Sequence, residues 1–220
     1  MTIPENLKFI HSQLPAKVKL VAVSKTKGID QIMEAYHTGQ RLFGENKVQE
    51  LTGKWQVLPK DIEWHFIGHL QSNKVKQVVP FVSLIHGVDS FKLLSTINKE
   101  AEKCNRVVSV LMEFHIAWEE SKFGLTSLQA EEILCMPETK SMKNVSIRGV
   151  MGMATYTSDV ARISAEFEHL AKIFKLLKNN YFSTDDRFCE LSMGMSDDFP
   201  IAVAAGSTIV RIGSSIFGTR

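Results

Sequence analysis

Lys25 closes VAVSK (21–25), an apolar run of buried-strand type that ends on a primary amine. Such a lysine is either a charge that has reached water or an amine aimed at a carbonyl compound. A free lysine is protonated at neutral pH, so the second role needs partial burial or neighbouring positive charge, such as Lys27. Other polar groups stand at the exits of apolar runs. Asn46 ends FGEN (43–46), where a small amide serves as a turn former or as a ligand contact. Ser196 follows SMGM (192–195) and is placed as the N-cap of a short helix, with Asp197 and Asp198 in its first turn and Pro200 soon after. Gly213 and Ser214 follow STIVRI (207–212). A glycine there permits close backbone approach, and with hydroxyls and free N–H groups it suits a phosphate. The two aspartates count against that, because carboxylates turned inward would repel an anion. Arg211 precedes Gly213 by two residues, and i and i+2 share a strand face. An arginine in an apolar strand is either a structural ion-pair partner or a donor aimed into a site.

Other constellations carry less. His65 and His69 stand four apart, but that spacing brings side chains together only on a helix, and these straddle a strand end and a loop. Glu119, Glu120 and Lys122 read as a solvated charged turn before Gly124. Cys104, Cys135 and Cys189 are odd in number and lack C-x-x-C spacing, so they read as reduced thiols of a cytoplasmic protein.

The positioning elements follow from periodicity. Strands are expected at VKLVAVS (18–24), RLFGEN (41–46), IEWHFIG (62–68), SLIHGVD (83–89), VVSVLMEFHI (107–116), SIRGVMGMA (146–154), CELSMGM (189–195) and STIVRIGSS (207–215). Helical patterns lie between them: IDQIMEAYHTG with Gly39 as a C-cap signal, SFKLLSTINKEAEKC and DVARISAEFEHLAKIFKLLKNN. Eight strands alternating with helices predict an α/β fold, a single (β/α)8 TIM barrel over residues 1–220; an open doubly wound sheet is the alternative, since periodicity does not show closure. In a barrel the C-terminal strand ends carry the chemistry, and the loops after strands seven and eight often hold phosphate. Lys25, Ser196 and Gly213 fall at those places. The chain has 220 residues, 44% hydrophobic and 23% charged, with net charge +2. That balance gives no argument for nucleic acid or an acidic membrane. No apolar run approaches the roughly 20 residues of a membrane span.

A strand-end lysine, a phosphate cradle and an inward arginine together point to pyridoxal phosphate. The stretches LVAVSKTK (20–27), FGENKVQE (43–50), WHFIGHLQSNKVK (64–76), ELSMGMSDD (190–198) and GSTIVRIGSSIFGTR (206–220) closely resemble the YggS/PROSC family of pyridoxal phosphate homeostasis proteins. The resemblance implies a barrel like the N-terminal domain of alanine racemase, with Lys25 as the Schiff-base lysine holding the cofactor as an aldimine. It further implies Ser196, Gly213 and Ser214 at the phosphate, Arg211 facing the pyridine nitrogen, and Asn46 close to the cofactor. The sequence departs from the family pattern at Gly28, where proline is usual, and at Gly87, where serine is common. In MEFHIAWEESKFG the asparagine more often found near His115 is missing, and no ligand role is carried over to that strand.

An arginine at the ring nitrogen donates a hydrogen bond but no readily lost proton, which leaves the ring a weak electron sink. Racemisation would also need a second acid or base on the opposite substrate face. Alanine racemase takes one from another domain, and none is expected after Arg220. The expectation is therefore a non-catalytic protein of intracellular vitamin B6 homeostasis, a cytoplasmic monomer with apo-enzymes as recipients of the cofactor. Two alternatives remain: a weak amino-acid racemase completed by a dimer partner or by His65, His69 or His115, and a Schiff-base aldolase acting on a sugar phosphate.

Overall fold

The computed structural model describes residues 2–118 and 123–218; the charged turn expected at Glu119, Glu120 and Lys122 lies outside them. Eight parallel strands close in sequence order: β1 (Lys19–Val23), β2 (Leu42–Glu45), β3 (Glu63–Phe66), β4 (Leu84–Val88), β5 (Val108–Phe114), β6 (Val145–Gly152), β7 (Glu190–Ser192) and β8 (Ile209–Ile212). Pairing of β8 with β1, from Lys19 opposite Ile209 to Ala22 opposite Ile212, closes the barrel and removes the open-sheet alternative. All eight expected strands are present, each shorter than its apolar run. Of the residues trimmed at the C-terminal strand ends, Asn46 and Gly213 line the mouth of the barrel.

The main helices are α1 (Ile3–Gln13), α2 (Ile29–His37), α3 (Val48–Val57), α4 (Val75–Val78), α5 (Phe91–Lys103), α6 (Ser127–Cys135), α7 (Pro137–Ser141), α8 (Val160–Tyr181), α9 (Phe199–Ala204) and α10 (Ser214–Phe217). Local chemistry sets their ends. Thr2 and Glu5 form a capping box on α1, and Ser90 and Asp159 accept the Leu93 and Arg162 N–H groups at the starts of α5 and α8. Gly39, at φ 97°, terminates α2 as its sequence position predicts. The start of α9 differs from expectation. Ser196 is not its N-cap: residues 195–198 form a turn, in which Met195 O accepts the Asp198 and Phe199 N–H groups, and the helix begins at Phe199. Pro200 then falls in the first turn, where its missing N–H costs nothing.

Alternation divides the strands between two layers. Phe43, Trp64 and Phe66 point outward and are fully buried beneath the helices, within the large core shared with Phe167 and Phe188. Val21, Leu84, Leu111, Met151 and Ile209 form a small apolar cluster of their own. Closure of the barrel at β6 depends on Gly149, at φ 153°, where a Cβ would stand 1.8 Å from the Glu190 carbonyl oxygen. Among the described residues no helix is long and apolar enough to cross a membrane.

Candidate functional site

A cavity of about 540 Å³ opens at the C-terminal ends of the strands, and Lys25, Asn46, Ser196, Arg211, Gly213 and Ser214 all line it. Val23, Ile67, Met153 and Ala154 provide apolar wall. Six residues chosen from four separate strand exits thus share one space.

Lys25 is held from the outside of the barrel. Its neighbour Ser24 faces the helix layer, where Ser24 Oγ donates to Glu45 Oε1 at 2.6 Å. Lys54, on α3, donates to the same Oε1 at 2.7 Å and to the Ser24 carbonyl at 2.8 Å. Glu50, one helical turn earlier, accepts the Thr26 N–H at 2.8 Å. Thr26 takes up φ 66°, an unfavourable conformation for a β-branched residue. The turn that presents Lys25 is therefore pinned on both sides by groups from α3. Burial raises the Glu45 carboxyl above its usual range, while the Lys54 and Ser24 hydrogen bonds oppose the rise.

Arg211 is held from the inside. It is only 5% exposed, and its guanidinium donates to Ser192 Oγ at 2.6 Å and to the Gly152 carbonyl at 3.0 Å. Both acceptors are neutral, and no carboxylate stands at ion-pair distance among the described residues, so the structure does not support the ion-pair role. Burial lowers the guanidinium pKa to about 10, against the upward pull of Glu113 and Asp198, and it remains a cation at neutral pH. Glu113 itself is pushed up to about 7 by burial and by Asp89, with Arg211 opposing.

The third side of the cavity brings the two last loops together: Ser196 Oγ accepts the Gly213 N–H at 3.3 Å. The Ser214 and Ser215 N–H groups open α10 and have no intrahelical acceptor. Asp197 and Asp198 line the same cavity. Asp197 is exposed, and the buried Asp198 turns its carboxylate onto the Met195 N–H. Lys27 donates to the Phe217 and Gly218 carbonyls, tying the Lys25 loop to the end of α10. Asn46 lies against Gly68, where a Cβ would come within 2.5 Å of the Asn46 carbonyl oxygen. An amine, hydroxyls, free amides and a cationic donor with spare N–H groups make a donor set that fits a phosphorylated aromatic aldehyde such as pyridoxal phosphate.

The histidines are elsewhere. His65 Nδ1 lies 3.0 Å from His86 Nε2 inside the barrel, and His69 Nδ1 lies 3.5 Å from Asp89 Oδ2. Neither these nor His115 line the cavity, and no group of three or more possible metal ligands occurs among the described residues. Sequence reasoning missed Glu45, Glu50, Lys54 and Ser192. Only the i, i+4 spacing of Glu50 and Lys54 in a helical segment hinted at a pair.

The alanine racemase N-terminal domain family matches residues 2–220. Pyridoxal phosphate homeostasis protein of Vibrio alginolyticus is 36% identical over all of this chain and 98% of its own, and that of Schizosaccharomyces pombe 36% over 100% and 93%. That of Aquifex aeolicus is 39% identical over 92% of this chain and 87% of its own. The solved structure of PipY from Synechococcus elongatus PCC7942 with PLP bound superposes with a TM-score of 0.88 at 36% identity, covering 99% of this chain and all of PipY. Alanine racemase of Clostridium difficile 630 superposes at 0.76 with 13% identity over 57% of its length, a likeness of fold alone. The chain belongs to the pyridoxal phosphate homeostasis protein family.

Proposed function

We propose that this chain binds pyridoxal phosphate in the mouth cavity and acts in vitamin B6 homeostasis, holding the cofactor through Lys25 without turning over a substrate. The observation that carries the reading is the convergence of Lys25, Arg211 and the Ser196–Gly213–Ser214 corner on one cavity. Bound there, the cofactor supplies an aldehyde with which a lysine amine condenses, losing water. Ser196, Gly213 and Ser214 would hold the phosphate, Arg211 would donate to the ring nitrogen, and Asn46 would flank the ring. Arg211 supports a holding role, because a guanidinium that gives up no proton keeps the ring a poor electron sink. The absence of His65, His69 and His115 from the described lining speaks against a racemase completed by these groups. The same reading takes residues 1–220 as one domain, a cytoplasmic monomer that passes the cofactor to apo-enzymes.

The test is a visible absorption spectrum of the protein with pyridoxal phosphate, beside Lys25→Ala, followed by borohydride reduction and peptide mapping. The expected result is a band in the wild type alone and a reduced adduct on the peptide carrying Lys25. An adduct equally abundant in Lys25→Ala would overturn the assignment.

A further inference from the structure

Behind Arg211 runs a buried polar chain that the proposed binding role does not itself require. Arg211 Nη1 reaches Ser192 Oγ at 2.6 Å, Ser192 Oγ lies 3.0 Å from His86 Nδ1, and His86 Nε2 lies 3.0 Å from His65 Nδ1. Ser192 and His86 are fully buried and His65 is 4% exposed. Residues from β8, β7, β4 and β3 thus form one line of contacts. Its far end, His65, borders a second cavity at the N-terminal end of the barrel, beside Lys19 and Glu190.

Hydrogen-bond chemistry orders the chain. A guanidinium has donors only, so the Ser192 oxygen accepts from Arg211. The serine proton then needs an acceptor, and the neighbour within reach among the described residues is His86 Nδ1. Burial holds both imidazoles neutral: His65 falls to about 3, with the Lys19 charge adding to the effect, and His86 lies well below its usual value. A neutral imidazole has one donor and one acceptor. With Nδ1 accepting, His86 carries its proton on Nε2 and donates to His65 Nδ1, and His65 in turn carries its proton on Nε2. Every bond then runs from donor to acceptor away from the guanidinium, an arrangement in which successive bonds strengthen one another. The opposite order would leave the serine proton buried without a partner.

We propose that Ser192, His86 and His65 are a positioning relay that fixes the Arg211 guanidinium towards the cofactor's ring nitrogen. This rests on the proposed binding of pyridoxal phosphate in the mouth cavity. The three residues touch no ligand; they act through Arg211. Neutral imidazoles add no second positive charge behind it, and fixed acceptors for Nη1 at Ser192 and Nη2 at Gly152 leave the other N–H groups for the cavity. Glu113 and Asp198 are the charged groups that act on Arg211 from its other sides.

Two measurements test the relay. Long-range proton–nitrogen NMR of the histidine rings, without cofactor, should show His86 and His65 neutral and protonated on Nε2 from pH 5 to 8. A His86 ring protonated on Nδ1 overturns the ordering. Pyridoxal phosphate titration then compares the wild type with Ser192→Ala and Ser192→Thr, with thermal melts confirming that each variant is folded. Ser192→Ala should weaken binding by about ten-fold and shift the pH at which the visible band titrates, while Ser192→Thr, which keeps the hydroxyl, stays near wild type. If Ser192→Ala binds and titrates like the wild type, the relay is refuted and the binding reading stands. A wild type with no band removes the binding reading, and the relay's purpose goes with it.

Discussion

Replacing Lys54 by methionine keeps the side chain's length and removes its charge. Lys54 donates to Glu45 Oε1 at 2.7 Å and to the Ser24 carbonyl at 2.8 Å, and both Lys54 and Glu45 are buried. Removing one partner of a buried pair costs about 3–5 kcal/mol if the other stays charged. Glu45 can instead take up a proton. Burial already raises its carboxyl, the Lys54 hydrogen bond is the largest influence opposing that rise, and Glu45 Oε2 has no hydrogen-bond partner among the described residues. In Lys54→Met the folded pKa therefore climbs further above the unfolded value of about 4.3. A raised folded pKa means stability that is fully present below the unfolded pKa and is lost as pH rises through the folded one. The variant should lose about 1 kcal/mol near pH 4.5, from the missing hydrogen bonds, and about 3–5 kcal/mol at pH 8. Glu50 adds the same sign: burial pushes it up, but the Thr26 N–H and Lys54 outweigh burial, and one of those is removed. Urea unfolding followed by circular dichroism at pH 4.5, 6, 7 and 8 measures the difference directly. A difference below about 1 kcal/mol at pH 8, or one independent of pH, refutes a charged pair in a dry setting. In that case α3 does not brace the Lys25 turn through a buried charged pair.

Glu113→Gln should change stability with the opposite consequence for the protein. The wild-type carboxyl, at about 7 in the fold against about 4.3 unfolded, withdraws about 3–4 kcal/mol between pH 4.5 and 8, so the glutamine variant should be the more stable at pH 8 and lose that advantage near pH 4.5. Equal stability profiles from pH 4.5 to 8 would refute the buried titration. Gly149→Ala would place a methyl 1.8 Å from the Glu190 carbonyl oxygen at φ 153°, and should cost on the order of 4 kcal/mol or prevent folding, read as loss of Tm. A shift of only a degree or two would mean that β6 and β7 part easily there.

The strands were legible because each carries a run of β-branched and apolar residues bounded by polar turns. Their ends were not, since Met193 and Met195 look like strand residues yet lie past the end of β7, Met195 opening the turn that leads into α9. Ser196 misled for a related reason. By residue type it is a good N-cap, but a turn at Met195–Asp198 moves the start of α9 to Phe199, and the hydroxyl goes to the Gly213 N–H instead. The site residues were legible because strand exits on one rim of a barrel must converge. The groups that support them lie on separate elements. His65 was weighed against His69, four residues on, while its partner His86 stands on the adjacent strand. Register supplies what spacing lacked: His65 pairs with Leu84, which puts His86 two residues further up the same face.

That period of two also explains how one rim can be held so firmly. In β1 and its exit, Val23 and Lys25 face the cavity while Ser24, between them, faces the helices. Lys25 is therefore braced by its neighbour on the far side of the barrel wall, through Glu45 and Lys54, without any bracing group entering the cavity. Arg211, across the β8–β1 seam, has no such option: its side chain lies inside, so its support must also lie inside. A barrel interior filled only with aliphatic side chains would leave a guanidinium unsatisfied there. Ser192, His86 and His65 occupy that interior instead, at the cost of apolar packing, which is confined to a small cluster around Val21 and Leu111. The two supports are chemically unlike because the wall has two sides. On the helix side a charged pair can be dry and still be compensated, and within the barrel a neutral chain can satisfy a cation without cancelling its charge.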